Sequence, residues 1–108
     1  MIKIRFDELS ELERFEAESR DYLLNLKVEA DGKSYLVNVY GITRLSQEFR
    51  WETEVDGFFV PDPNLVIVEC IDFEKIKITL ENMYKQGYFE TIAEENEAQR
   101  YFMKMPPK

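Results

Sequence analysis

Tyr22-Leu23-Leu24-Asn25-Leu26-Lys27-Val28-Glu29-Ala30-Asp31-Gly32-Lys33-Ser34-Tyr35-Leu36-Val37-Asn38-Val39-Tyr40-Gly41 is the stretch that decides how this chain folds. Two runs rich in β-branched, aromatic and leucine residues, Tyr22 to Ala30 and Ser34 to Gly41, flank Asp31-Gly32. That dipeptide is the strongest short-range hairpin signal, because both central positions of a type I′ turn need positive φ. With Asp31 and Gly32 as a two-residue loop, Val28 faces Tyr35, Leu26 faces Val37 and Leu24 faces Val39, so every apolar pair falls on one side. A three-residue loop would set Leu26 against Asn38, and a one-residue slip would turn a whole strand over. The two-residue register is therefore expected. Its outer face then carries Asn25, Lys27, Glu29, Ser34 and Asn38, with Leu23, Leu36 and Tyr40 as apolar exceptions.

Upstream, Ile2, Ile4 and Phe6 share one face of a short strand. Asp7 to Asp21 holds Leu9, Leu12 and Phe15 at spacing three, which suits a short helix or a structured loop laid over the sheet. Downstream, Ile42 to Glu48 fits one or two helical turns or a loop, and the alternation in Phe49-Arg50-Trp51-Glu52-Thr53-Glu54 would put Phe49, Trp51 and Thr53 on one face. Gly57 to Val60 reads as a brief strand and Pro61-Asp62-Pro63-Asn64 as a tight turn. Leu65 to Ile71 reads as a strand covered on both faces near the sheet centre, since Leu65-Val66-Ile67-Val68 is unbroken by a polar residue. Asp72 is placed to cap a helix over residues 73–86, on which Phe73, Ile76, Leu80, Met83 and Tyr84 recur at helical spacing before Gly87 stops it. Tyr88 to Met105 fits a final short helix or an edge strand, and Pro106-Pro107-Lys108 a frayed end. Too few helices separate the strands for a doubly wound sheet. The expected class is α+β, a mostly antiparallel sheet with one main helix packed on one face.

The composition fits a single domain spanning residues 1–108, with 44% hydrophobic and 14% aromatic residues to fill one core. Charge and hydrophobe alternate over Met1 to Phe6, so the apolar run of a signal peptide is missing, and no segment is apolar for long enough to span a bilayer. Cys70 is the only cysteine, which rules out an intrachain disulfide. These features point to the cytoplasm.

Histidine is absent, which removes the commonest general base near neutral pH and the commonest metal ligand. No glycine-rich phosphate loop and no EF-hand spacing occurs. Cys70 lies in the apolar strand beside Glu69 and Asp72; burial and negative neighbours both disfavour a thiolate, so an inert packed cysteine is expected. No catalytic residue, metal or cofactor is assigned. A pI of about 4.6 disfavours nucleic acid as partner, because neutralising phosphates needs a basic face.

Of the net charge of −8, most sits between Glu48 and Glu74, where eight carboxylates stand against the single base Arg50. Phe49, Trp51, Phe58 and Phe59 interleave with those acids. Fixed negative charge with large apolar anchors is the mix that captures a basic protein partner. The candidate partner-binding residues are Glu48, Trp51, Glu52, Glu54, Asp56, Phe59 and Asp62. The alternative is that the carboxylates serve solubility and that Phe58, Phe59 and Phe73 fill the core.

Leu65-Val66-Ile67-Val68 followed by Ile71-Asp72-Phe73-Glu74-Lys75-Ile76-Lys77, and the strand end Val37 to Val39 leading to Leu45, resemble the immunity protein 8 family of bacterial polymorphic-toxin systems. The similarity extends over residues 22–84. It implies a cytosolic, non-enzymatic protein that neutralises a cognate toxin by tight binding, and it carries over no site residue. A basic nuclease toxin, captured on the acidic aromatic face, is the partner expected. The alternatives are a structural or adaptor domain forming a homodimer through an exposed strand edge, and a small carboxylate-dependent enzyme.

Overall fold

A computed structural model describes residues 1–95. Four strands form one sheet in sequence order: β1 (Ile2–Ile4), β2 (Tyr22–Ala30), β3 (Lys33–Gly41) and β4 (Leu65–Val68). The first two pairings are antiparallel and the β3–β4 pairing is parallel. Helices α1 (Glu11–Arg20), α2 (Ile42–Asp56) and α3 (Phe73–Lys85) complete an α+β fold with a mostly antiparallel sheet.

The hairpin turns at Asp31 and Gly32, with φ of 51° and 80°. Those are the positive values a type I′ turn demands. Val28 faces Tyr35 and Leu26 faces Val37, as the turn dictates. The third pairing is different: Leu23, not Leu24, faces Val39. Leu24 and Asn25 together oppose Asn38, a β-bulge in which Asn25 takes a φ of 57°. The shift turns Leu23 into the core at 6% exposure and leaves Leu24 at 40%. Asn38 is buried rather than facing solvent, and it pins the bulge. Its Oδ1 accepts from the Asn25 N–H at 2.9 Å, while its Nδ2 donates to the Pro63 carbonyl at 2.7 Å.

The side chains of Val28, Val37 and Val39 meet Ile76 and Leu80 of α3 and Ala17 of α1 on one face of the sheet. Leu26, Val28, Val37, Val39, Ile76 and Leu80 are fully buried. Each contributes about 1.5–3 kcal/mol by removal of apolar surface from water. Asp72 caps α3, accepting from the N–H groups of Glu74 at 3.0 Å and Lys75 at 3.2 Å. Helix α1 begins at a capping box, Ser10 with Glu13. That signal is plain in the sequence, whereas Leu12 and Phe15, whose spacing suggested an inward stripe, are exposed.

Three further expectations fail. No strand forms over Gly57 to Val60, because α2 runs on to Asp56 and Gly57, at φ 79°, is its left-handed cap. Among the described residues strand β4 is an edge strand, not a central one: the α2 crossover reverses the chain and delivers it parallel to β3 on the free side of the hairpin. Val66 faces the core while Ile67 is 52% exposed. Cys70, just beyond β4, is exposed rather than packed. Of the ambiguous segment beginning at Tyr88, Tyr88–Glu90 forms a short 3-10 turn with Phe89 buried. The part of that expectation, and of the frayed end, that falls on residues 96–108 lies outside the described residues.

Asp21 ties three junctions together. It ends α1 in the left-handed region at φ 62°, its carbonyl accepts from the Gly41 N–H at 2.8 Å, and its carboxylate accepts from the Ile71 N–H at 3.0 Å. Gly41 serves at once as the end of β3 and the N-cap of α2, with the Asp21 carboxylate against its α-carbon. No linker separates strand from helix.

Candidate functional site

Helix α2 runs between a glycine at each end with no proline or glycine inside it. Its apolar residues Ile42, Leu45 and Phe49 recur at helical spacing. The short alternation of Phe49, Trp51 and Thr53 loses to that longer period. As a result Phe49 and Trp51, two residues apart, point about 160° away from each other around the axis. They do not share a face. The helix lies on the sheet face that carries Tyr22 and Tyr40, opposite α1 and α3, since Arg44 stands over the Tyr22 ring.

On the Trp51 flank the side chains form a ladder. The Arg44 guanidinium lies 5.5 Å from the Trp51 ring centroid and 5.1 Å from that of Tyr22. Tyr22 stacks on Tyr40 at 5.5 Å, and the Tyr40 hydroxyl donates to the Asp62 carboxylate at 3.1 Å. Glu48 accepts from Arg44 Nε at 3.1 Å. Burial, reinforced by the charges of Asp62 and Glu48, raises the Tyr40 pKa well above the ordinary phenol value. Glu48 and Asp62 are therefore already engaged, and both are half-buried.

On the opposite flank Leu45, Phe49, Phe59, Pro61 and Leu65 line an open apolar groove of about 450 Å³, with Ser46 and Arg50 along its lip. Its walls come from α2 and from the chain's return into β4. The groove needs the crossover to exist, but Leu45 and Phe49 at i, i+4 were a visible signal for its helical wall.

The candidate residues thus fall into separate groups. Phe59 lines the groove, Trp51 stands across the helix from it at 54% exposure, and Glu52, Glu54 and Asp56 are exposed to solvent. Phe58 is exposed, not core. No residue of α2 is buried, and Phe49 at 54% and Val55 at 82% exposure add to an apolar surface bordered by carboxylates. Among the described residues no three acids or thiols converge in a geometry suited to a metal ion, and no helix is long and apolar enough to cross a membrane. The arrangement presents anchors and charge, the equipment of a binding face.

No protein-family model, curated protein or solved structure matches this chain.

Proposed function

We propose that this chain is a non-enzymatic immunity-type inhibitor that neutralises a basic protein by binding it on the α2 face. The observation that carries the reading is a 15-residue helix with no buried residue that nevertheless displays Ile42, Phe49, Trp51 and Val55 beside Glu52, Glu54 and Asp56. Helices in proteins draw most of their stability from packing an apolar face, and α2 leaves much of that surface in water. A partner that covers it removes apolar area from solvent, while the carboxylates steer a positive surface into place. A nuclease toxin is the natural class of partner, because a surface that grips phosphates must be basic.

The test is affinity capture from the source cell's lysate at low and high salt, with wild type and two variants. Replacing Glu52, Glu54 and Asp56 with lysine should abolish capture of a basic partner at low salt. Trp51→Ala should leave the fold intact, since the ring is half exposed, and speed dissociation. Unchanged binding by both variants would refute the proposal.

The homodimer alternative draws on a different feature, the edge that β4 leaves without a partner strand among the described residues, with Ile67 exposed. A mass that rises with concentration in light scattering would favour it.

A further inference from the structure

We infer that the groove between α2 and β4 is the anchor pocket of this face, and that it takes one large apolar side chain of the basic partner with a lysine or arginine beside it. This inference rests on the binding reading above and adds where and how the partner is gripped.

Helix geometry supplies the chemistry of the occupant. Residues spaced by four, three and four positions lie in one line along a helix, so Leu45, Phe49, Glu52 and Asp56 form a single row. The row begins as the apolar wall of the groove and continues directly into two exposed carboxylates. A segment lying along it meets hydrocarbon first and negative charge next. Arg50 stands on the other lip, so the charge is polarised across the opening and the cationic side chain of the occupant is drawn toward Glu52 and Asp56. The groove's volume of about 450 Å³ leaves room for one aromatic or long aliphatic side chain laid into it from the open side. Trp51 cannot serve the same anchor, because it projects from the opposite flank and is held there over Arg44. The groove, not the tryptophan, is the central contact.

The inference can be tested on the isolated protein by following backbone amide shifts in nuclear magnetic resonance during titration with Lys-Lys-Phe-Lys-Lys and with Lys-Lys-Gly-Lys-Lys. The phenylalanine peptide should shift the amides of Ser46, Phe49 and Leu65, and the glycine peptide should not. Ser46→Trp fills the groove from an exposed position and should weaken binding of the phenylalanine peptide at least about thirtyfold, the size of one lost hot-spot contact. Phe49→Ala, which removes a wall without touching the core, should weaken it in the same sense, and Leu12→Ala, at an exposed position of α1 across the sheet, should not. The variants' own spectra report whether they fold. Equal shifts with both peptides, shifts centred on Trp51, or binding that survives Ser46→Trp would each overturn the inference. So would groove shifts that depend on protein concentration without peptide, which would make a second copy the occupant. If the peptide fails while a salt-sensitive basic partner is captured and is lost on acid reversal, the groove assignment falls and the binding face stands. If acid reversal is also without effect, both fall.

Discussion

Gly41→Ala should be destabilising for a reason unrelated to backbone freedom. Gly41 sits at φ −69° and ψ 144°, where alanine is comfortable. An ordinary Gly→Ala change in such a place stabilises by about 0.4–1 kcal/mol through the unfolded state. Here a methyl group would fall on Oδ2 and the carboxyl carbon of Asp21, far inside van der Waals contact. The carboxylate must leave or the strand end must shift. If it leaves, the 3.0 Å bond from the Ile71 N–H is lost. A hydrogen bond to a charged acceptor is worth about 1.5–3 kcal/mol. If the carboxylate stays, overpacking costs about 1–3 kcal/mol. Set against that gain, either route leaves a net loss of about 0.5–2.5 kcal/mol, read as a lower urea midpoint at unchanged slope. The decisive comparison is the same substitution in an Asp21→Gly background. Position 21 holds a φ of 62°, which glycine accepts, and removing the side chain removes the clash. Gly41→Ala should there become neutral or mildly stabilising. Equal losses in both backgrounds would refute the reasoning.

Asp72→Ala should cost about 1 kcal/mol by removing the acceptor of the first-turn N–H groups of α3, and Asp72→Asn should restore most of it in the same denaturation assay. Cys70→Ser should change stability by less than about 0.5 kcal/mol, as surface substitutions do. A thiol reagent should label Cys70 in the native protein at the rate of an exposed cysteine, because the side chain is at the surface. Tyr40 contributes alkaline sensitivity, since its folded pKa is raised above the unfolded value. Its contribution is complete below the unfolded value of about pH 10 and is lost as pH rises beyond it. Over about pH 9 to 11 the wild-type denaturation midpoint should therefore fall more than that of Tyr40→Phe; parallel curves would contradict this.

Residues that act on their immediate neighbours were decisive in the sequence. Asp31-Gly32 set the turn and the apolar pairings of Val28 with Tyr35 and Leu26 with Val37, and Asp72 set the start of α3, because a turn and a cap are each closed by backbone groups within a few positions. The concentration of acids and aromatics from Glu48 to Asp62 was equally visible as composition. The third hairpin pairing was not, since the bulge at Leu24 and Asn25 is stabilised by Asn38 and, through it, by Pro63 on a distant loop. The Phe49 to Glu54 stretch was ambiguous because so short a run fits a period of two as well as a helix, and only its continuity with Ile42 and Leu45 resolves it. Once it is helical, Phe49 and Trp51 part to opposite flanks. The edge position of β4 and the groove were decided by the crossover alone. It brings Phe59, Pro61 and Leu65 against Leu45 and Phe49, a meeting of residues far apart in the chain whose chemistry says nothing of their proximity until the direction of the chain is known.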